Sequence, residues 1–171
     1  MPEPPPGLRL RRVEGGAELD SLEPVWDALQ EHHAAMAPEL APGTPKRDNA
    51  DAWRMRRLKY ERWVGDPDTF MVLAELEGRL VGYAFVTVGP GYASWATGER
   101  LADLETLSVV PDLRDAGIGG ALVEAVWGRL AEIGVTDLAV TTNEANEGAR
   151  RFYERSGFYP AFVTYHAKRR R

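Results

Sequence analysis

The sequence predicts an α/β fold built on a mixed sheet, and three observations support that expectation. Apolar residues recur at helical spacing in some segments and at strand spacing in others, with a clear change of period at Phe70. The two kinds of segment alternate along the chain, as they do when helices cover a sheet. No internal repeat and no linker-like stretch divides the 171 residues, a length that suits one domain with a sizeable core. Hydrophobic residues make up 44% and charged residues 27%, an ordinary globular balance and not that of a disordered chain.

The elements follow in order. Residues 1–7 (Met-Pro-Glu-Pro-Pro-Pro-Gly) lack too many backbone donors for a helix or ladder and are expected to be disordered. Residues 8–167 form the expected domain, and 168–171 a basic, solvated tail. Leu8 to Val13 alternates Leu and Arg and reads as a strand with one wet face. Leu19, Leu22, Trp26, Leu29, His33 and Met36 share one side of a helix expected from Ala17 to Ala37. Residues 38–49, rich in proline, read as a loop, and Trp53, Arg57, Tyr60 and Val64 space a second helix from Asn49 to Val64.

Phe70–Glu75 and Leu80–Val88 read as strands joined by a turn at Glu77-Gly78. A glycine-rich loop fills 89–99, and Leu101–Val110 is a further strand that stops at Pro111. Ile118, Leu122, Val126, Leu130 and Ile133 then mark a helix from about Gly117 to Ile133. A strand (Val135–Thr141), a helix (Asn146–Ser156) and a last strand (Phe158–Ala167) complete the chain.

Composition excludes several function classes. There is no cysteine, hence no disulfide, thiolate nucleophile or thiolate metal site. The last four residues carry +4, so against a total of −5 the rest of the chain carries −9, a poor match to nucleic acid. No apolar run approaches the roughly 18 residues of a membrane span, and residues 1–12 lack the apolar core of a secretory signal. A cytoplasmic protein is expected. His32 and His33 are adjacent on a helix, do not share a face, and are not expected to bind metal. No Gly-x-Ser-x-Gly elbow is present. Trp26, Trp53 and Trp63 are expected in the core.

The chemistry is concentrated where a strand runs through a turn into a helix, Leu104 to Gly120. Arg114-x-x-Gly117-x-Gly119 lets backbone N–H groups converge at the positive end of a helix dipole, which suits a phosphate or pyrophosphate. By itself so short a motif arises about 0.4 times by chance in this composition. Its context excludes two dinucleotide patterns: no Lys-Ser/Thr pair follows, and the turn lies far from a first strand. Glu105, a carboxylate in an otherwise apolar strand, is the candidate general base, since burial would raise its pKa, with a carboxylate satisfied by neighbouring backbone or a basic side chain equally open.

Downstream, Asn146-x-x-Ala149-x-x-Phe152-Tyr153-Glu154-x-x-Gly157-Phe158 supplies a second motif. Together, over Leu101 to Phe158, the two motifs resemble the GNAT superfamily of acyl-CoA-dependent N-acyltransferases. The resemblance implies a mostly antiparallel sheet with helices on both faces and acetyl-CoA as cosubstrate. It implies that Leu107 and Val109 offer backbone groups to the pantetheine arm. Arg114, Asp115, Ala116, Gly117, Ile118, Gly119 and Gly120 would wrap the pyrophosphate. Asn146 would bond the pantetheine chain, with an N-cap role equally open, and Tyr153 would face sulfur as general acid.

The implied reaction is acetyl transfer to a primary amine, of a small molecule or a peptide, by direct attack or through a water relay at Glu105. The family often dimerises, so a homodimer is an expectation. A noncatalytic acyl-CoA sensor would need the loop but neither Glu105 nor Tyr153. Asp115 departs from the usual basic or glycine residue of the loop, and few residues remain after Gly157 for a closing strand pair. Tyr92 and Trp95 mark a loop where the family builds its acceptor pocket, and the acidic body suggests a cationic amine.

Overall fold

The computed structural model describes residues 2–169. In chain order the elements are β1 (Arg9–Val13), a 3-10 turn (Leu19–Leu22), α1 (Glu23–Met36), a small hairpin of β2 (Glu39–Ala41) and β3 (Thr44–Pro45), and α2 (Asn49–Trp63). Then come β4 (Phe70–Leu76), β5 (Arg79–Pro90), β6 (Arg100–Val109), α3 (Ile118–Glu132), β7 (Leu138–Val140) and α4 (Glu147–Arg155). The five-stranded sheet has the order β1-β4-β5-β6-β7. All its pairs are antiparallel except β6 with β7.

β4 is apolar at every position from Phe70 to Ala74 because both sheet faces are covered. Phe70, Val72 and Ala74 join Ile118, Leu122, Val126 and Leu130 of α3 in one core. Met71 and Leu73 point the other way, into a core with Val25 and Trp26 of α1 and Trp53 and Tyr60 of α2. The tryptophan expectation therefore holds for Trp26 and Trp53, both buried, while Trp63 packs at the margin of the same core. Glu77 and Gly78 both have positive φ between Leu76 and Arg79, the two-residue turn whose twist suits a hairpin.

Two boundaries shift for backbone reasons. The first helix forms a 3-10 turn at Leu19 and becomes α-helical only at Glu23, with Pro24 in the first turn, where its missing N–H is not needed. The loop at 38–49 contains the small hairpin. Asp48 caps α2, its carboxylate accepting from the Asp51 N–H at 2.8 Å.

The expected last strand, Phe158–Ala167, does not form. Residues 158–169 pair with no strand, and Tyr159, Phe162, Val163 and Tyr165 are exposed. Pro160 removes a ladder donor, and β7 spans only three residues, too short an edge to hold a neighbour. Residues 2–7, expected to lack order, run as irregular backbone without helix or ladder, and the Pro2 and Glu3 carbonyls lie against Gly117. Residues 170 and 171 of the basic tail lie outside the described residues. Among the described residues no helix is long and apolar enough to cross a membrane.

Candidate functional site

Glu105 sits at an irregularity in β6. Phe85 pairs with Thr106, but Val86 pairs with Leu104, so Glu105 is an extra residue opposite β5. Such a bulge re-aims side chains, and here it changes which face they meet. Before it, Ala102 and Leu104 belong to the α3-side core; after it, Thr106 and Ser108 face α1 and α2. The two hydroxyls fasten both helices to the strand. Thr106 Oγ1 lies 2.6 Å from Tyr60 Oη of α2, and Ser108 Oγ donates to the Val25 carbonyl of α1 at 3.1 Å.

The Glu105 carboxylate accepts a hydrogen bond from Thr87 Oγ1 at 3.1 Å. Burial raises its pKa above the ordinary range, as sequence reasoning expected; the Thr87 hydroxyl opposes the shift, Asp103 adds to it, and Arg56 and Lys59 oppose it. A half-buried carboxyl with a raised pKa is a stronger base than an exposed one.

Beyond Glu105 the strand has an open edge. β7 pairs only with Ala102, Asp103 and Leu104, and the two strands then part. Residues 105–109 thus have no strand on that side, although β5 pairs their other edge through Leu107↔Ala84 and Val109↔Gly82. Leu107 and Val109 are half-buried on the α3 side, with backbone lying along this edge.

The edge leads into the loop. A 3-10 turn at Pro111–Leu113 is followed by extended Arg114, whose Nε donates to the Val109 carbonyl at 3.3 Å. Asp115 and Gly117 both adopt left-handed backbone, φ 61° and 79°, with Ala116 between them. Aspartate tolerates this region better than most residues, and the Asp115 side chain is exposed. Alternating backbone of this kind turns successive N–H groups toward one point. Gly117 ends the loop at the start of α3, and no side chain caps that helix. The first-turn N–H groups at Ile118, Gly119 and Gly120 are therefore not claimed by a capping side chain, and the residues present fit an oxyanion such as a pyrophosphate. Gly119 also has a packing role: a Cβ there would meet the Phe152 ring of α4 at 3.3 Å.

Across the gap, buried Asn146 caps α4, its Oδ1 accepting from the Ala149 N–H at 3.0 Å. Tyr153 packs edge-on against Phe152 and Phe158, with ring centroids 5.3 and 5.5 Å away. Burial pushes its phenol up to about 12, so it stays protonated at neutral pH. Its hydroxyl makes no hydrogen bond within the described residues, leaving the donor uncommitted. Tyr153 packs against the α3-side core while the Glu105 carboxylate bonds Thr87, and no hydrogen bond joins the two among the described residues.

A family model for the acetyltransferase (GNAT) family matches residues 26–158. The chain belongs to the acetyltransferase (GNAT) family. It is similar to a mycothiol acetyltransferase of Thermobispora bispora, 34% identical over 157 residues that cover 92% of this chain and 48% of that protein. A mycothiol acetyltransferase of Cellulomonas flavigena is 30% identical over 159 residues, covering 92% and 42%. The chain thus spans about half the length of the curated relatives it matches. Among solved structures, a GCN5-related N-acetyltransferase from Ralstonia eutropha superposes with a TM-score of 0.73 at 18% identity, covering 95% of this chain and 99% of that one. The aminoglycoside N-acetyltransferase AAC(6')-Iy, in complex with CoA, gives 0.67 at 19% identity, covering 95% of each chain. At these identities the structural likeness is one of fold.

On this GNAT scaffold the structure gives two histidines a position that the sequence did not indicate. His33 of α1 is held neutral, its pKa lowered to about 4 by burial and then by Lys46, His32, Arg114 and Arg56. Burial, then the Arg114 charge, lowers the His32 pKa, and a hydrogen-bonding contact with Asn146 opposes them. The second half of α1 therefore spans from the GNAT loop to the α4 cap. Adjacency ruled these histidines out as a metal pair and gave no sign of that bridging position. Tyr92 and Trp95 are exposed, and Tyr92 packs edge-on against Phe162 at 5.3 Å.

Proposed function

We propose that this GNAT chain transfers the acetyl group of acetyl-CoA to a primary amine by direct attack on the thioester. The observation that carries the reading is the open edge of β6. It runs from the half-buried Glu105 carboxylate to an uncapped helix start, so one extended thioester can lie along it with its phosphates at the loop. The curated relatives, named as acetyltransferases, support the same reaction class.

An amine at neutral pH is mostly ammonium and has no lone pair. Glu105, directly or through one water, takes that proton, and the free amine adds to the carbonyl carbon. When the C–S bond breaks, the electron pair leaves on sulfur, the Tyr153 phenol supplies the proton that makes CoA a thiol, and the extra proton on the acylated nitrogen is lost to solvent as the phenol is restored. Backbone of Leu107 and Val109 would orient the pantetheine arm. The loop from Arg114 to Gly120 would hold the pyrophosphate, and Asn146 would steady the chain between them while its Oδ1 caps α4.

The test separates binding from chemistry. Tyr153→Phe keeps the ring packing, so acetyl-CoA affinity should change little while turnover, read as released thiol, falls by about 10²–10⁴. Glu105→Gln should remove the acidic limb of the pH–rate profile. If both variants kept wild-type turnover, the assignment of acid and base would be wrong.

A further inference from the structure

A cavity of about 270 Å³ lies between α1 and α2, and it is lined by cations. Trp26 and Gln30 come from α1, Lys46 from the segment before α2, and Met55, Arg56 and Lys59 from α2. Arg47 also lines it, but shares Asp51 with Arg54, and Arg57, outside the lining, pairs with Asp20 and Glu61. The other three cations of the lining have no such acid. Arg56 stacks its guanidinium over Trp26 at 4.6 Å and reaches Tyr60 and Trp63 at 5.6 and 6.0 Å, with no carboxylate partner among the described residues. Lys59 lies 6.0 Å from Trp63 and is likewise unpaired among the described residues. Lys46 donates only to the neutral Gln30 Oε1, at 2.8 Å. The indole N–H of Trp26 is buried and has no acceptor. The three cations repel one another, and Arg56, Lys59 and the Trp26 N–H lack a hydrogen-bond partner among the described residues; an oxyanion relieves both problems.

The cavity shares a sheet face with Glu105. Arg56 stands one turn before Tyr60, whose hydroxyl meets Thr106, the neighbour of Glu105. No residue of the 114–120 loop and none of α4 lines it, so it is separate from the place where CoA phosphates would lie.

We infer that the acceptor amine carries an oxyanion, a carboxylate or a phosphate, which Arg56, Lys59 and Lys46 hold while the amine faces Glu105. The inference rests on the proposed acetyl transfer and names its acceptor class. It also reverses the expectation drawn from total charge: the molecule is acidic, but this cavity is basic, and a polycationic amine would meet repulsion there.

Matched amines test it with the full chain: β-alanine against propylamine, and O-phosphoethanolamine against ethanolamine, with spermidine as the polycation. Thiol release should favour the oxyanion-bearing member by about tenfold or more in kcat/KM, and the two pairs separate carboxylate from phosphate. In Arg56→Gln and in the more exposed Lys59→Gln that ratio should shrink toward unity, with acetyl-CoA affinity unchanged. Calorimetry with O-phosphoethanolamine and β-alanine gives a second readout that does not depend on turnover. Saturable binding of either, lost in both variants, supports the anion site even if no amine is acetylated, and absent turnover would then count against the acetyl-transfer reading alone. Preference for propylamine, ethanolamine or spermidine, or no binding of either oxyanion probe, would overturn the inference.

Discussion

Replacing Tyr60 by Phe removes one oxygen from the buried polar cluster that pins α2 to the bulged strand. Tyr60 and Tyr83 are fully buried and Thr106 is 5% exposed, so water cannot take over the lost partner. The Tyr60 hydroxyl lies 2.6 Å from Thr106 Oγ1 and 3.1 Å from the Tyr83 hydroxyl. Its ring stacks on Phe85 with centroids 4.0 Å apart, and that contact survives in Phe, so the variant opens almost no cavity. The loss is therefore one of hydrogen bonding: two buried hydroxyls become poorer in partners, a cost of about 1–3 kcal/mol. For a chain of this size each kcal/mol moves the midpoint by about 2–4 °C, so a loss near 2 kcal/mol lowers Tm by roughly 4–8 °C. Urea unfolding of Tyr60→Phe, Thr106→Val and the double variant measures it, and the double variant should cost less than the two singles combined. If Tyr60→Phe lay within about 0.5 kcal/mol of wild type, the cluster would not be what holds α2 against β6.

Other expectations follow from particular groups. His33, held neutral down to about pH 4, binds fewer protons folded than unfolded between there and its ordinary value near 6.5. Its contribution to stability is therefore complete above about pH 6.5 and is lost as pH falls toward 4. A pH series of denaturation midpoints should show that loss in wild type and a flatter curve in His33→Gln; matching curves would disprove it. Gly117→Ala places a Cβ in left-handed backbone and 2.5 Å from the Pro2 carbonyl, so it should destabilise by about 1–2 kcal/mol and weaken acetyl-CoA binding. An alanine variant as stable and as tight-binding as wild type would show that the loop can relax. Gly119→Val should shift the midpoint as well as the affinity, because its side chain would press on Phe152; loss of affinity alone would mean that α4 yields at no cost.

Much of the fold was legible because periodicity records which faces are covered. The β4–β5 hairpin, α3 and the loop before it all lie where spacing and turn residues placed them. The last strand failed because its apolar residues, Tyr159 to Tyr165, resemble a buried strand in spacing, while Pro160 and a three-residue β7 deny it a ladder. Glu105 stood out as a carboxylate among apolar neighbours, but the bulge beneath it did not, since an extra residue in a register is a property of the strand pair. The basic cavity was hidden for a related reason. Sequence alone does not distinguish Arg54, Arg56, Arg57 and Lys59 from one another, and only the packing of α1 on α2 separates the paired from the unpaired. Net charge sums over the whole surface, whereas the inferred anion site depends on the few charges lining one cavity.

Calorimetric titration with acetyl-CoA, beside free CoA and NADH, tests most directly whether the β6 edge and its loop hold the cosubstrate. Binding of both CoA species at micromolar affinity, with none of NADH, is the predicted result. Binding of neither CoA species would contradict it, leaving a GNAT fold whose loop, with Asp115 at its turn, does not receive a pyrophosphate.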